Sequence, residues 1–179
     1  MTPKRRKQPP QHQVVYWDTC LYIAWLTKET NHPKPDLDGL FDTVRNVGRR
    51  LSKLVVSQMV VQELLLDSQA VEVRDAFRRL LGMPNVLLVD FERPIMLAVE
   101  EIRSYYRIRK NSGMFPFVPS FTDTIHLATA INRNVDAFYT FDKGGKDKGN
   151  LLLLDGDVAG HPLKICTPPA GQLTLFQRQ

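Results

Sequence analysis

Cysteine is scarce in this chain of 179 residues: there are two, Cys20 and Cys166. Two thiols build neither a disulfide scaffold nor a thiolate zinc site. No apolar run approaches the ~18–20 residues that span a bilayer. The opening stretch MTPKRRKQPPQHQ also lacks the apolar segment of a secretory signal. Glycine-rich phosphate loops are missing too. Neither GxxxxGK[ST] nor GxGxxG occurs, even in the Gly- and Lys-rich segment DKGGKDKGN, which disfavours nucleotide binding of those two kinds. The four histidines, His12, His32, His126 and His161, are scattered, so they form no zinc-ligand pattern. These absences lead us to expect a soluble, cytoplasmic protein of a reducing compartment.

Acidic residues are absent before Asp18. Lys4, Arg5, Arg6 and Lys7 therefore supply four of the net five positive charges, and the remaining body is nearly neutral. A basic tail of this kind can pair with nucleic-acid phosphates or serve as a solvated extension. With 43% hydrophobic residues, the chain is long enough for one domain with its own core. Residues 1–13 read as the tail, 14–168 as the folded domain and 169–179 as a C-terminal extension.

Hydrophobic periodicity alternates strands with helices. Strands are predicted at Val14–Trp17, Leu54–Ser57, Val86–Val89, Ala137–Phe141 and Leu163–Cys166. Helices are predicted at Thr19–Lys28, about Leu37–Arg50, through Val60–Leu65, at Val71–Leu81, at Glu92–Lys110 and at about Thr122–Asn134. Such alternation implies an α/β fold, a parallel sheet covered by helices on both faces. In such sheets ligands bind beyond the carboxyl ends of the strands, where strand order reverses.

Four acids stand out against that frame. Asp18 follows the first strand, Asp142 follows the core of the fourth, Asp123 opens a helix, and Glu63 interrupts the apolar helix VVQELLL. Each has a local explanation. Asp18 can cap a helix, Asp123 can form a capping box with Ser120, Asp142 can form a turn, and Glu63 can face solvent. Taken together, clustered carboxylates repel one another unless a cation compensates. With oxygen donors alone, that cation would be Mg²⁺ or Mn²⁺, which suit phosphodiester hydrolysis.

At these residues the sequence resembles the PIN-domain ribonuclease family. VVYWDTCLYIAWL is similar to the family's opening strand, Asp-Thr and helix. VVSQMVVQELL follows its strand and helix with an embedded Glu, and TDTIHLATAINRNVDAFYTFDK follows its Asp, small-residue helix, strand and Thr-x-Asp. LKICTP resembles its last strand and proline. The resemblance implies a three-layer α/β/α fold with a five-stranded parallel sheet ordered 3-2-1-4-5. It further implies Asp18, Glu63, Asp123 and Asp142 as an acidic site for Mg²⁺ or Mn²⁺, with Thr19 and Thr140 as supporting hydroxyls. Short members of the family are commonly VapC-like toxin ribonucleases, each neutralised by an antitoxin. An endoribonuclease acting on RNA, with an antitoxin partner and pairing as a homodimer, is the expectation. Its alternative is a non-catalytic PIN-fold module that binds nucleic acid or protein.

A receiver domain is a further rival, with Asp90 as phosphoacceptor. Receivers, however, need an early acidic pair and a Lys after the last strand. Here Asp18 stands alone, and Lys164 lies inside the predicted strand. Basic candidates for phosphate contact are Arg49, Arg50, Arg103, Arg107, Arg109, Lys143 and Lys146, the two lysines having more weight because they flank the acids. Trp17 and Tyr22 read as core aromatics, His126 as structural and Cys20 as a small buried residue. The segment Gln172–Phe176, QLTLF, resembles a sliding-clamp docking peptide, or folds back over the domain.

Overall fold

A computed structural model describes residues 12–66, 70–144 and 149–171. The basic tail, Lys146 and the Gln172–Phe176 segment lie outside the described residues. In chain order the elements are β1 (Gln13–Trp17), α1 (Thr19–Leu26), α2 (Lys34–Gly48), β2 (Ser52–Ser57), α3 (Gln58–Leu66), α4 (Val71–Leu81) and β3 (Val86–Val89). They continue with α5 (Arg93–Asn111), α6 (Phe121–Asn132), β4 (Ala137–Tyr139), a 3₁₀ turn (Leu151–Leu154) and β5 (Ile165–Cys166).

The five strands form one parallel sheet in the order β3-β2-β1-β4-β5, as the resemblance implies. Period-2 alternation divides their side chains between two cores. Tyr16, Val55 and Phe138 face α5 and α6, where Ile95, Val99, Ile102, Ile125 and Ala128 are buried. Val15, Trp17, Leu54, Val56, Ala137 and Tyr139 face the other layer, against Leu21, Tyr22, Leu40, Val60 and Phe77. Trp17 and Tyr22 are thus core aromatics. Tyr16 and Phe138 stack across neighbouring strands with centroids 5.1 Å apart and rings 7° from parallel. Such a pair adds about 0.5–1.5 kcal/mol beyond its burial.

Several element boundaries depart from the periodicity. Helix α2 starts at Lys34, and Pro35 sits in its first turn, where a missing N–H leaves no bond unmade. Strand β4 is shorter than expected because the chain turns away at Asp142, whose Oδ1 accepts from Gly144 N at 2.9 Å, and β5 is shorter at its start. Lys164 precedes β5 rather than lying within it. Leu151–Leu154, which carries no readable period, forms a 3₁₀ turn capped by Asn150. Asp90 is exposed beside the edge strand β3, away from the central strands where a receiver's phosphoacceptor would stand.

Candidate active site

Strands β1 and β4 are neighbours, yet they arrive from opposite halves of the chain: β1 next pairs with β2, and β4 with β5. Their carboxyl ends meet at Trp17 and Tyr139, and Asp18 N donates to Tyr139 O at 2.9 Å. This is the switch point at which the sheet opens a crevice. A cleft of about 500 Å³ lies there, with Asp18, Asp123 and Asp142 all on its lining.

Asp18 is the N-cap of α1, its Oδ1 accepting from Thr19 N at 2.8 Å. Its Oδ2 accepts from Thr140 Oγ1 at 2.7 Å and from Cys20 Sγ at 3.4 Å. Thr140 Oγ1 in turn accepts from Asp142 N at 2.9 Å, so a single hydroxyl joins two of the acids. Asp123 is held by a complete capping box: Asp123 N donates to Ser120 Oγ at 3.0 Å, and Ser120 N donates to Asp123 Oδ2 at 3.2 Å. The local explanations for Asp18, Asp123 and Asp142 are therefore realised. They coexist with convergence on one cleft, because a cap or turn uses only some of a carboxylate's ~4 acceptor positions.

Glu63 stands apart. It does not line the cleft but sits behind it, accepting from Thr19 Oγ1 and from His126 Nε2, the latter at 3.1 Å. Glu63 is thus bonded within the protein while its side chain keeps 34% of its exposure. Burial raises the Glu63 carboxyl, but hydrogen bonds from His126 and Thr19 and the nearby imidazole outweigh it and hold the group below its ordinary value. Thr19 thereby couples Glu63 to Asp18, one through its hydroxyl and the other through its backbone N–H.

Among the described residues, no three His, Cys, Asp or Glu side chains stand grouped closely enough to hold an ion as they are. The donors on the cleft are nevertheless hard carboxylate oxygens, a set that suits Mg²⁺ or Mn²⁺ and not a soft metal. Cys20 also lines the cleft, but burial, then the charge of Asp18, pushes its thiol well up. A thiol shifted in that direction is a weaker nucleophile near neutral pH. Lys143 reaches Asp36 Oδ2 on α2 at 2.7 Å, so it is already paired beside the cleft. Arg103 donates to Pro119 O, and Arg109 lies over the Tyr105 ring; Arg103 and Arg107 line a different groove, on α5.

Two histidines near the acids carry no functional signal in the sequence. His32 lines the cleft with its ring 4.4 Å from that of Phe141, and it comes from a proline-rich loop that carries no motif. His126 is buried and fully engaged, three residues after Asp123 on α6. The only sequence signal is that spacing, which reads equally well as core packing.

The pattern of the PIN domain matches residues 15–150. This chain belongs to the PIN-domain family. Several solved structures share the fold, among them the following two. The chain of VapBC2 from Rickettsia felis, bound to a DNA fragment from their promoter, is 13% identical with a TM-score of 0.57, and the match covers 86% of this chain and 98% of that one. FitAcB from Neisseria gonorrhoeae is 16% identical with a TM-score of 0.55, covering 86% and 97%. No curated protein matches the sequence. Among the described residues, no helix of this PIN protein is long and apolar enough to cross a membrane.

Proposed function

We propose that this PIN protein is a metal-dependent endoribonuclease, the toxin of a toxin–antitoxin pair. The observation that carries the reading is the convergence of Asp18, Asp123 and Asp142, from three distant elements, on one cleft at the β1–β4 switch point. Asp18, Asp123 and Asp142 are the residues that would hold Mg²⁺ or Mn²⁺, with Glu63 as the fourth acid behind Thr19. When bound, the metal supplies an activated water and stabilises charge on the leaving oxygen.

The protein's own contribution is placement. Thr140 holds Asp18 and Asp142 in a fixed relation, and Thr19 holds Asp18 and Glu63. The capping box fixes Asp123 at the start of α6. Lys143, next in sequence to Asp142, is held on a salt bridge to Asp36 that substrate phosphate can replace. Lys146, three residues on, is assigned the same role. A protein antitoxin is the partner this reading implies, and the fold shared with VapBC2 and FitAcB supports it. The experiment is cleavage of single-stranded RNA with Mg²⁺ or Mn²⁺, repeated after chelation. Cleavage that persists without metal contradicts the reading, and so does a protein that binds RNA without cutting it. Growth arrest on expression, relieved by the product of an adjacent reading frame, tests the toxin assignment.

A further inference from the structure

A polar chain runs beneath the cleft, and the chemistry above uses only its Glu63–Thr19 end. Tyr16 on β1, Ser57 at the end of β2, Glu63 on α3 and His126 on α6 meet there. Tyr16 Oη donates to Ser57 Oγ at 2.8 Å and lies 2.7 Å from His126 Nδ1, with Ser57 Oγ 3.2 Å from the same nitrogen. On the other side of the ring, His126 Nε2 faces Glu63 Oε2 at 3.1 Å. Thr19 Oγ1, which also donates to Glu63, lies 3.4 Å from Nε2.

We infer that His126 is a positioning residue that fixes the Glu63 carboxylate against Thr19, and through Thr19 sets Asp18. The inference rests on the nuclease reading. An ionised carboxylate only accepts, so Nε2 carries a proton and points it at Glu63. Tyr16 and Ser57 hold Nδ1 from the far side, and a flipped ring would place carbon against both partners. The ring therefore has one orientation, and Glu63 inherits it.

A packing role alone does not require this arrangement. A buried imidazole must find partners for both nitrogens, whereas an apolar side chain of similar volume needs none. Glu63 could take its second hydrogen bond from water, since its side chain is partly exposed. What the chain adds is a fixed direction for one carboxylate. Because α6 also carries Asp123, the same histidine ties the position of that helix to Glu63.

The test uses the full-length protein and two readouts. The first is the ring-nitrogen spectrum of His126 in metal-free protein, where a proton on Nε2 is expected, with its signal displaced in Glu63→Gln. A ring bearing its only proton on Nδ1 overturns the inference. The second readout is kinetic, on single-stranded RNA with Mn²⁺. The amide nitrogen of His126→Gln falls near the place of Nε2 and reaches Glu63, whereas that of His126→Asn reaches only toward Tyr16 and Ser57. His126→Asn should lose about 10–100-fold in kcat at unchanged KM, the range typical of residues that orient a metal site from behind. His126→Gln should recover most of that loss. Equal kcat in the two variants, or a loss that only tracks a lowered Tm, overturns the inference. A wild-type protein that cleaves no RNA overturns the nuclease reading instead, and the spectrum still decides whether His126 holds Glu63.

Discussion

At the scale of single residues, the proposed site is a set of carboxylates whose local duties and shared direction coincide. Asp18 caps α1, Asp123 completes the capping box of α6 and Asp142 closes a turn, and all three still line the cleft. Ser120 is the sharpest local test of that arrangement. Ser120→Ala removes the acceptor for Asp123 N and should lower stability by about 1 kcal/mol, read from denaturant unfolding. Activity should fall further than stability, because the capping box also aims Asp123.

Glu63 provides a test of a different kind. Its folded carboxyl lies below the ordinary 4.5, so its ionised form contributes stability that is present above 4.5 and lost as pH falls through the lower folded value. Glu63→Gln should therefore be less stable than wild type near neutral pH. The gap should narrow as the solution is acidified below 4.5, measured by unfolding at a series of pH values. A gap that widens on acidification would contradict the assigned hydrogen bonds.

At the scale of elements, the strand-then-helix order was legible because apolar periodicity is strong and the strand ends carry acids. The meeting of the three aspartates on one cleft was legible for the same reason: each sits where an element begins or ends. The hydrogen-bond network of His126 was not legible. Its partners Tyr16, Ser57 and Glu63 lie on three other elements, and no periodicity links residues so distant in the chain. His32 was missed because it enters from a loop whose path only the tertiary structure fixes. The edges of β4 and β5 were overestimated because apolar character continues past the point where hydrogen-bond pairing stops.

Helix α2 gives a paired prediction at this scale. A Cβ at Gly39 would come within 1.9 Å of Pro168 O, a backbone atom of the segment that follows β5. Gly39→Ala should therefore destabilise by about 1–3 kcal/mol, despite alanine's better helix propensity. Gly48, in the same helix, has nothing within 4 Å of its would-be Cβ. Gly48→Ala should be neutral or stabilise by up to about 1 kcal/mol. Thermal unfolding of the two variants separates a steric requirement from mere propensity.

At the scale of the whole molecule, charge is unevenly distributed, with Lys4, Arg5, Arg6 and Lys7 ahead of a nearly neutral body. If those residues contact RNA, deleting Met1–Gln11 should weaken binding and flatten its dependence on salt while leaving the cleavage chemistry in place. RNA binding measured across a salt series decides this, and an unchanged slope would make the tail a solvated extension.

The central claim is that three carboxylates brought together at the β1–β4 switch point hold a catalytic metal. It is tested most directly by single-turnover cleavage of single-stranded RNA in Mn²⁺, comparing wild type with Asp18→Asn and Asp142→Asn. Both amides retain the shape of the side chain and most of its capping ability, but remove the charge that balances the cation. The account predicts at least about a 100-fold loss of rate in each variant with the unfolding transition preserved, and no cleavage by wild type once the metal is chelated. Wild-type rates in both variants with metal present would contradict it.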